Sequence, residues 1–133
     1  MFKKFQKVLI VVAVFTSSAC IAETYTEAEK KSEAASSNPA LNEWYQTNMQ
    51  PAFRGVVGQA MGQCLHQTSI ERPPRVDVVF VVTTSGKVGS IYWKEQTPFA
   101  SCLEVSIQRA IFPPPPDADF YFGVGFRIPP KKN

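Results

Sequence analysis

VDVVFVVTT, residues 76–84, and FYFGVGFRI, residues 120–128, are the two stretches that decide the fold. The first is almost entirely β-branched and aromatic, which is typical of a largely covered strand. The second alternates large apolar residues with small or polar ones, which predicts a strand with one apolar face. The core-facing residues are predicted to be Phe120, Phe122, Val124, Phe126 and Ile128, whereas Tyr121, Gly123, Gly125 and Arg127 lie on the other side.

The segment between these two strands supplies a turn, a partner strand and a helix. Ser85–Lys87 contains Gly86, which can adopt a positive φ, and Val88–Trp93 predicts the partner strand. Thr97-Pro98 provides a capping hydroxyl followed by proline, so it predicts the start of a helix. That helix is expected to run to Phe112, where four consecutive prolines end it.

An amphipathic pattern upstream predicts a further helix, which starts near Gln50 with Pro51 in its first turn. A weak helical turn is expected before it, at 41–45. The resulting order αββαβ predicts an α+β two-layer sandwich, with both helices on one face of a three-stranded antiparallel sheet. A right-handed crossover places the third strand beside the first, so the strand order is 2-1-3 and residues 120–128 form an edge.

Residues 1–22 have the pattern of a cleaved secretory signal. Three lysines within 3–7 precede an apolar run at 8–15, and small residues follow it. Cleavage after Ala22 is one interpretation; lipoprotein processing before Cys20, which would attach a lipid to that cysteine, is the alternative. The apolar run is shorter than the roughly 20 residues of a spanning helix, so an uncleaved anchor is the weaker interpretation. The protein is therefore expected in the periplasm, either free or lipid-anchored to a membrane.

The composition changes after the signal. Residues 23–47 contain five acidic residues and two lysines with few large apolar residues, which predicts a polar linker or a frayed helix. Residues 48–133 contain nine basic and six acidic residues and form the predicted domain. The net charge of +3 equals the three lysines of the signal, so the mature chain is close to neutral. Nucleic-acid binding is accordingly disfavoured.

Cys64 and Cys102 are the two cysteines that remain outside the signal. An even pair in an exported protein predicts a disulfide, which would stabilise a domain of this size by roughly 4 kcal/mol in the chain-entropy model. Two buried free thiols are the alternative.

No catalytic or metal-binding pattern stands out. His66 is the only histidine and lies near Cys64, but no second histidine accompanies it. Asp117 and Asp119 follow the prolines without a calcium-loop pattern and are interpreted as a solvated turn. The sequence lacks a nucleophile–base–orienter set, so we expect neither an enzyme nor a bound metal or cofactor.

The second face of the sheet poses an open question. Gly123 and Gly125 would leave it flat, either as a surface that a partner approaches closely or as a simple uncovered face. If Val79 and Val81 also point there, that face is too apolar to stay exposed, and a dimer or a partner would cover it. A bulge near Gly89 would determine which residues face the core. The aromatic residues concerned are Tyr92, Trp93 and Tyr121.

Two blocks, VVFVVTTSGKVGSI at 78–91 and SCLEVSIQRAIFPPP at 101–115, together with the alternating last strand, make the chain similar to the TonB C-terminal domain. The resemblance covers 50–128 and is strongest to cysteine-bearing relatives in envelope proteins. It implies a non-catalytic periplasmic module that receives an extended partner segment by strand addition along 120–128. The chain differs from the energy transducers in having no long Pro-rich spacer and no Ser/His signature in its apolar segment.

The resemblance therefore implies a stand-alone adaptor whose partner is an envelope or outer-membrane protein, with a homodimer as another arrangement of the same edge. A hypothesis of another class is an immunity or inhibitor protein that neutralises a toxin or enzyme. Such a protein would use a loop surface, for example Glu71–Arg75 or Pro113–Asp119.

Overall fold

The computed structural model describes residues 22–132 of the 133-residue chain, so the predicted signal lies outside the described residues except for Ala22. No helix among the described residues is long and apolar enough to cross a membrane. The elements are helices α1 (Tyr25–Ser36), α2 (Pro39–Trp44), α3 (Gln50–Leu65) and α4 (Pro98–Arg109), a π-helical turn (Tyr45–Met49), and strands β1 (Arg75–Val82), β2 (Val88–Trp93) and β3 (Phe120–Arg127).

The strands form one antiparallel sheet in the order β2-β1-β3, which confirms the predicted α+β class and strand order. Val78 at the centre of β1 pairs with Trp93 on one side and Val124 on the other. The register between β1 and β2 shifts so that Gly89 and Ser90 together oppose a single β1 residue. A bulge is therefore present at Gly89, and it determines which β2 residues face the core.

The main core lies between the sheet and the two helices α3 and α4. Phe80 stands at its centre, and its ring centroid lies 6.0 Å from that of Phe53, 5.4 Å from Phe112 and 5.2 Å from Phe122. A disulfide between Cys64 and Cys102 joins α3 to α4, as predicted. The cross-link therefore fastens together the two helices that cover this face.

The helix after β2 is shorter than predicted, since α4 ends at Arg109 instead of Phe112. Ile111 forms an isolated bridge with Lys87, and the Phe112 N–H donates to the Gly86 carbonyl at 2.8 Å. These contacts need an extended backbone, so the chain leaves the helix before the prolines begin.

The chain stays helical on both sides of Pro51, so the predicted break between a weak helical turn and the main helix is absent. The helix start at Gln50 with Pro51 in its first turn is confirmed, but α2, the π-helical turn and α3 follow one another without interruption. The Gln50 N–H reaches back to the Tyr45 carbonyl, a hydrogen bond one residue longer than in an α-helix. Because Pro51 has no N–H, this shift in pairing lets the chain remain helical through the proline.

The segment interpreted as a polar linker or a frayed helix contains α1, a capped helix that packs on the second face of the sheet over β3 and β1. Thr24 caps it, and Glu27 completes a capping box. Only Ala28 and Ser32 are buried in this helix. A face of two small residues carries almost no apolar periodicity, which is why composition suggested a linker.

Candidate protein-docking edge at strand β3

The outer side of β3 presents main-chain groups without a partner strand. The Ile128 N–H donates to the Pro74 carbonyl at 3.1 Å, which fixes the phase of the antiparallel ladder. In such a ladder alternate residues bond to the neighbouring strand, so the even-numbered residues from Phe120 to Ile128 face β1. Within residues 22–132 no other strand pairs with the outward groups, which belong to Tyr121, Gly123, Gly125 and Arg127.

The opposite edge, β2, is less accessible. Gln108 of α4 donates from Nε2 to the Val88 carbonyl at 3.1 Å, and the Trp93 Nε1–H donates to Glu104 Oε1 at 3.1 Å. A side chain of α4 therefore occupies a main-chain carbonyl at the start of this short strand, a common way of protecting an edge. Among the described elements, β3 is thus the edge better suited to pairing with another chain.

The core-side neighbours of β3 divide it into a covered and an accessible half. The Trp44 ring centroid lies 5.0 Å from that of Phe120, and Tyr45 lies 5.9 Å from Phe122. Beyond them, Val124 and Phe126 are only half-buried. A docked segment would therefore find most room beside the second half of the strand, from Gly123 onward.

A polar cluster on the second face fixes the start of α1 to the sheet. Glu23 Oε2 accepts hydrogen bonds from the hydroxyls of Tyr92 and Tyr121, each at 3.0 Å, and Glu23 Oε1 lies 2.7 Å from Lys31 Nζ. The Lys31 ammonium and the two phenols lower the pKa of Glu23, whereas burial raises the pKa of Tyr121. Tyr92 and Tyr121 thus share this face, while Trp93 lies on the core side.

Gly123 permits a close approach, but to α1 of the same chain. A Cβ at this position would lie 2.5 Å from Ser32 Oγ and 3.0 Å from Ser32 Cβ. At Gly125 a Cβ would instead meet the ends of the Arg75 and Asp77 side chains. The same helix covers the apolar face that the sequence left open, where Val79 is 1% and Val81 is 7% exposed.

The sequence did not single out the residues that make this face. Glu23, Lys31 and Ser32 all fall in the segment interpreted as a linker. The one available signal was the capping box of Thr24 and Glu27, which predicts a helix start. Nothing local indicates that the helix docks, because docking depends on a glycine 91 positions after Ser32 in the chain.

Among the other residues that the sequence singled out, Cys64 and Asp119 have structural roles. The Cys64 sulfur is bonded to Cys102 and so is not a free thiolate beside the exposed His66. Asp119 accepts a hydrogen bond from the Thr84 N–H at 3.2 Å and so ties the last loop to the hairpin. Across residues 22–132 no group of three or more His, Cys, Asp or Glu side chains could hold a metal ion.

Comparison of the chain with protein-family models, with curated protein sequences and with solved structures finds no match.

Proposed function

We propose that this chain is an exported, non-catalytic protein-binding module of the cell envelope, which binds an extended segment of a partner protein as an added strand at β3. The observation that carries the proposal is the outward row of main-chain groups on β3, which has no partner strand among residues 22–132. The similarity of two sequence blocks to the TonB C-terminal domain points the same way. Export rests on the signal pattern of residues 1–22.

The chemistry of this edge suits strand addition. The outward N–H and C=O groups of this edge lie in the plane of the sheet, so an incoming backbone can pair with them at the roughly 4.8 Å spacing of paired strands. Each main-chain hydrogen bond contributes only about 1 kcal/mol net, so affinity depends on several bonds and on side-chain contacts beside them. The half-buried side chains of Val124 and Phe126 provide apolar contacts on the core side.

A matched pair of variants at Gly125 tests the proposal. Gly125→Pro removes an outward N–H, whereas Gly125→Ala keeps it; both add a Cβ at the same place, against the Arg75 and Asp77 side chains. Val124 is unsuitable for this test because its N–H faces β1, so proline there would break the sheet itself. Thermal unfolding of both variants checks that each retains the fold.

The binding assay uses a photoreactive phenylalanine analogue in place of Phe126, which is half-buried beside the second half of the same edge. In cells that produce the full chain, we expect a crosslink to an envelope or outer-membrane protein that persists with Gly125→Ala and disappears with Gly125→Pro. Persistence in both variants would refute strand addition. A crosslink only to a second copy would assign the edge to a homodimer.

The inhibitor hypothesis makes a different prediction in the same assay. Its contacts would be insensitive to Gly125→Pro and sensitive to charge changes within Glu71–Arg75 or Pro113–Asp119. No contact among the described residues favours it over strand addition, so the edge remains the proposed site.

A further inference from the structure

A groove opens at the end of β3, where an added strand would leave the sheet. Its walls are two proline pairs, Pro73-Pro74 and Pro129-Pro130, with Ile128 between them. Its polar lining consists of Arg72 and Arg127, and no carboxylate of residues 22–132 lines it. An apolar slot with two guanidinium groups is complementary to an apolar side chain accompanied by an anion.

Arg72 gives this groove a fixed shape. Its Nη2 donates to the Leu65 carbonyl at 2.8 Å, and its Nη1 donates to the carbonyls of Pro129 and Pro130 at 3.3 Å each. These bonds hold the C-terminal segment against the α3–β1 connection without involving a carboxylate. The Arg72 Nε is buried and has no hydrogen-bond partner among the described residues, and no described carboxylate pairs with this guanidinium, so Arg72 adds uncompensated positive charge to the groove.

The charge of Arg127 forms no stabilising ion pair with any described residue. It lies directly opposite Arg75 in the β1–β3 register. Arg75 pairs with Asp77, with its Nη2 at 3.0 Å from Oδ1, whereas Arg127 has no ion pair within the described part of the chain. Like charges directly opposite each other destabilise a sheet. The exposed Arg127 guanidinium is therefore available to an external anion.

We infer that this groove recognises a carboxylate and a neighbouring large apolar side chain at the end of the segment that adds to β3. The inference rests on the proposed function, because the groove continues the line of the β3 edge and a paired segment would be guided into it. The partner is thus an acidic, extended protein segment with an apolar or aromatic anchor.

The test uses the mature protein with its disulfide intact and a displayed library of random decapeptides as the probe. Enriched peptides are synthesised with their acidic residue unchanged or replaced by the matching amide. Each form is titrated against the wild type, Arg127→Gln, Gly125→Pro and Gly125→Ala. The Arg127→Gln variant keeps the outward N–H, so it changes only the side chain.

We expect enriched peptides to carry Asp or Glu beside a large apolar residue near one end. Arg127→Gln should weaken the acidic form roughly five- to tenfold and leave the amide form unchanged, as for a partly exposed charged pair. Gly125→Pro, but not Gly125→Ala, should abolish binding of both forms.

The two proposals fail in different ways. Peptides that are sensitive to Gly125→Pro but have no acidic preference and no response to Arg127→Gln would overturn the carboxylate inference and leave strand addition standing. Acidic peptides that respond to Arg127→Gln but tolerate Gly125→Pro would support the groove and refute strand addition. A library without enriched peptides would contradict both.

Discussion

Replacing Gly123 with alanine perturbs the contact that holds α1 on the sheet. The new Cβ would lie 2.5 Å from Ser32 Oγ and 3.0 Å from Ser32 Cβ. Because nonbonded heavy atoms pack at about 3.5 Å or more, α1 would have to retreat by about 1 Å. Ser32 cannot rotate away cheaply, since it is 7% exposed and its hydroxyl bonds to the Glu29 carbonyl at 2.7 Å.

The expected magnitude follows from two opposing effects. Overpacking of this kind costs about 1–3 kcal/mol. Replacing a glycine inside a strand with alanine by itself raises the free energy of unfolding by about 0.5–1 kcal/mol. We therefore expect Gly123→Ala to lower the free energy of unfolding by about 1–2 kcal/mol. The loss should appear mainly as undocking of α1, because this helix buries only Ala28 and Ser32.

Urea denaturation measures the stability change, and amide exchange locates it. In Gly123→Ala we expect exchange in α1 to accelerate more than exchange in β1, because α1 can undock on its own whereas the core amides of β1 exchange when the whole domain unfolds. Gly125→Ala is the matched control, since its Cβ meets only movable ends of the Arg75 and Asp77 side chains and should change stability by less than about 0.5 kcal/mol. Ser32→Gly should cost less in the Gly123→Ala background than alone, because it removes the clashing atoms.

The reasoning would be refuted if Gly123→Ala were as stable as Gly125→Ala and kept wild-type exchange in α1. Additive effects of Ser32→Gly and Gly123→Ala would likewise show that the two positions are not in contact.

Three further predictions concern the turn, the disulfide and the cluster at the start of α1. Gly86 has a φ of 83°, and a Cβ there would meet main-chain atoms. Gly86→Ala should therefore lower the free energy of unfolding, measured by urea denaturation, by more than about 2 kcal/mol. Gly89→Ala is the control, because a Cβ at Gly89 makes only ordinary contacts. Replacing Cys64 and Cys102 with alanine should lower the free energy of unfolding by about 2–4 kcal/mol and abolish the response to reductant. A wild-type protein that is equally stable with and without reductant would contradict this prediction. The pKa of Glu23 is lower in the fold than its ordinary 4.5, so its contribution is complete above that pH and is lost as pH falls through the lowered value. Stability curves of the wild type and Glu23→Gln should therefore converge in acid, and parallel curves would refute the role of this carboxylate.

Much of the fold was predictable because its signals are local. The period-two alternation of 120–128 and the β-branched run of 76–84 determine strand identity and the core-facing side. Thr97-Pro98 and the position of Pro51 near a helix start indicate helix boundaries by the chemistry of single residues. The parity of cysteines outside the signal predicted the Cys64–Cys102 bond. Each of these inferences needs only a short window or a count.

What covers the second sheet face was decided by tertiary structure alone. The α1 segment is polar, and its docking relies on Ser32 fitting where Gly123 lacks a Cβ and on Glu23 meeting two tyrosine hydroxyls from different strands. These contacts join residues roughly 70 to 100 positions apart in the chain, and none produces an apolar period that could be detected beforehand. The same holds for the β3 edge. Its strand character was determined by the sequence, but which of its N–H groups face outward follows from the register with β1, and that register exists only in the assembled sheet.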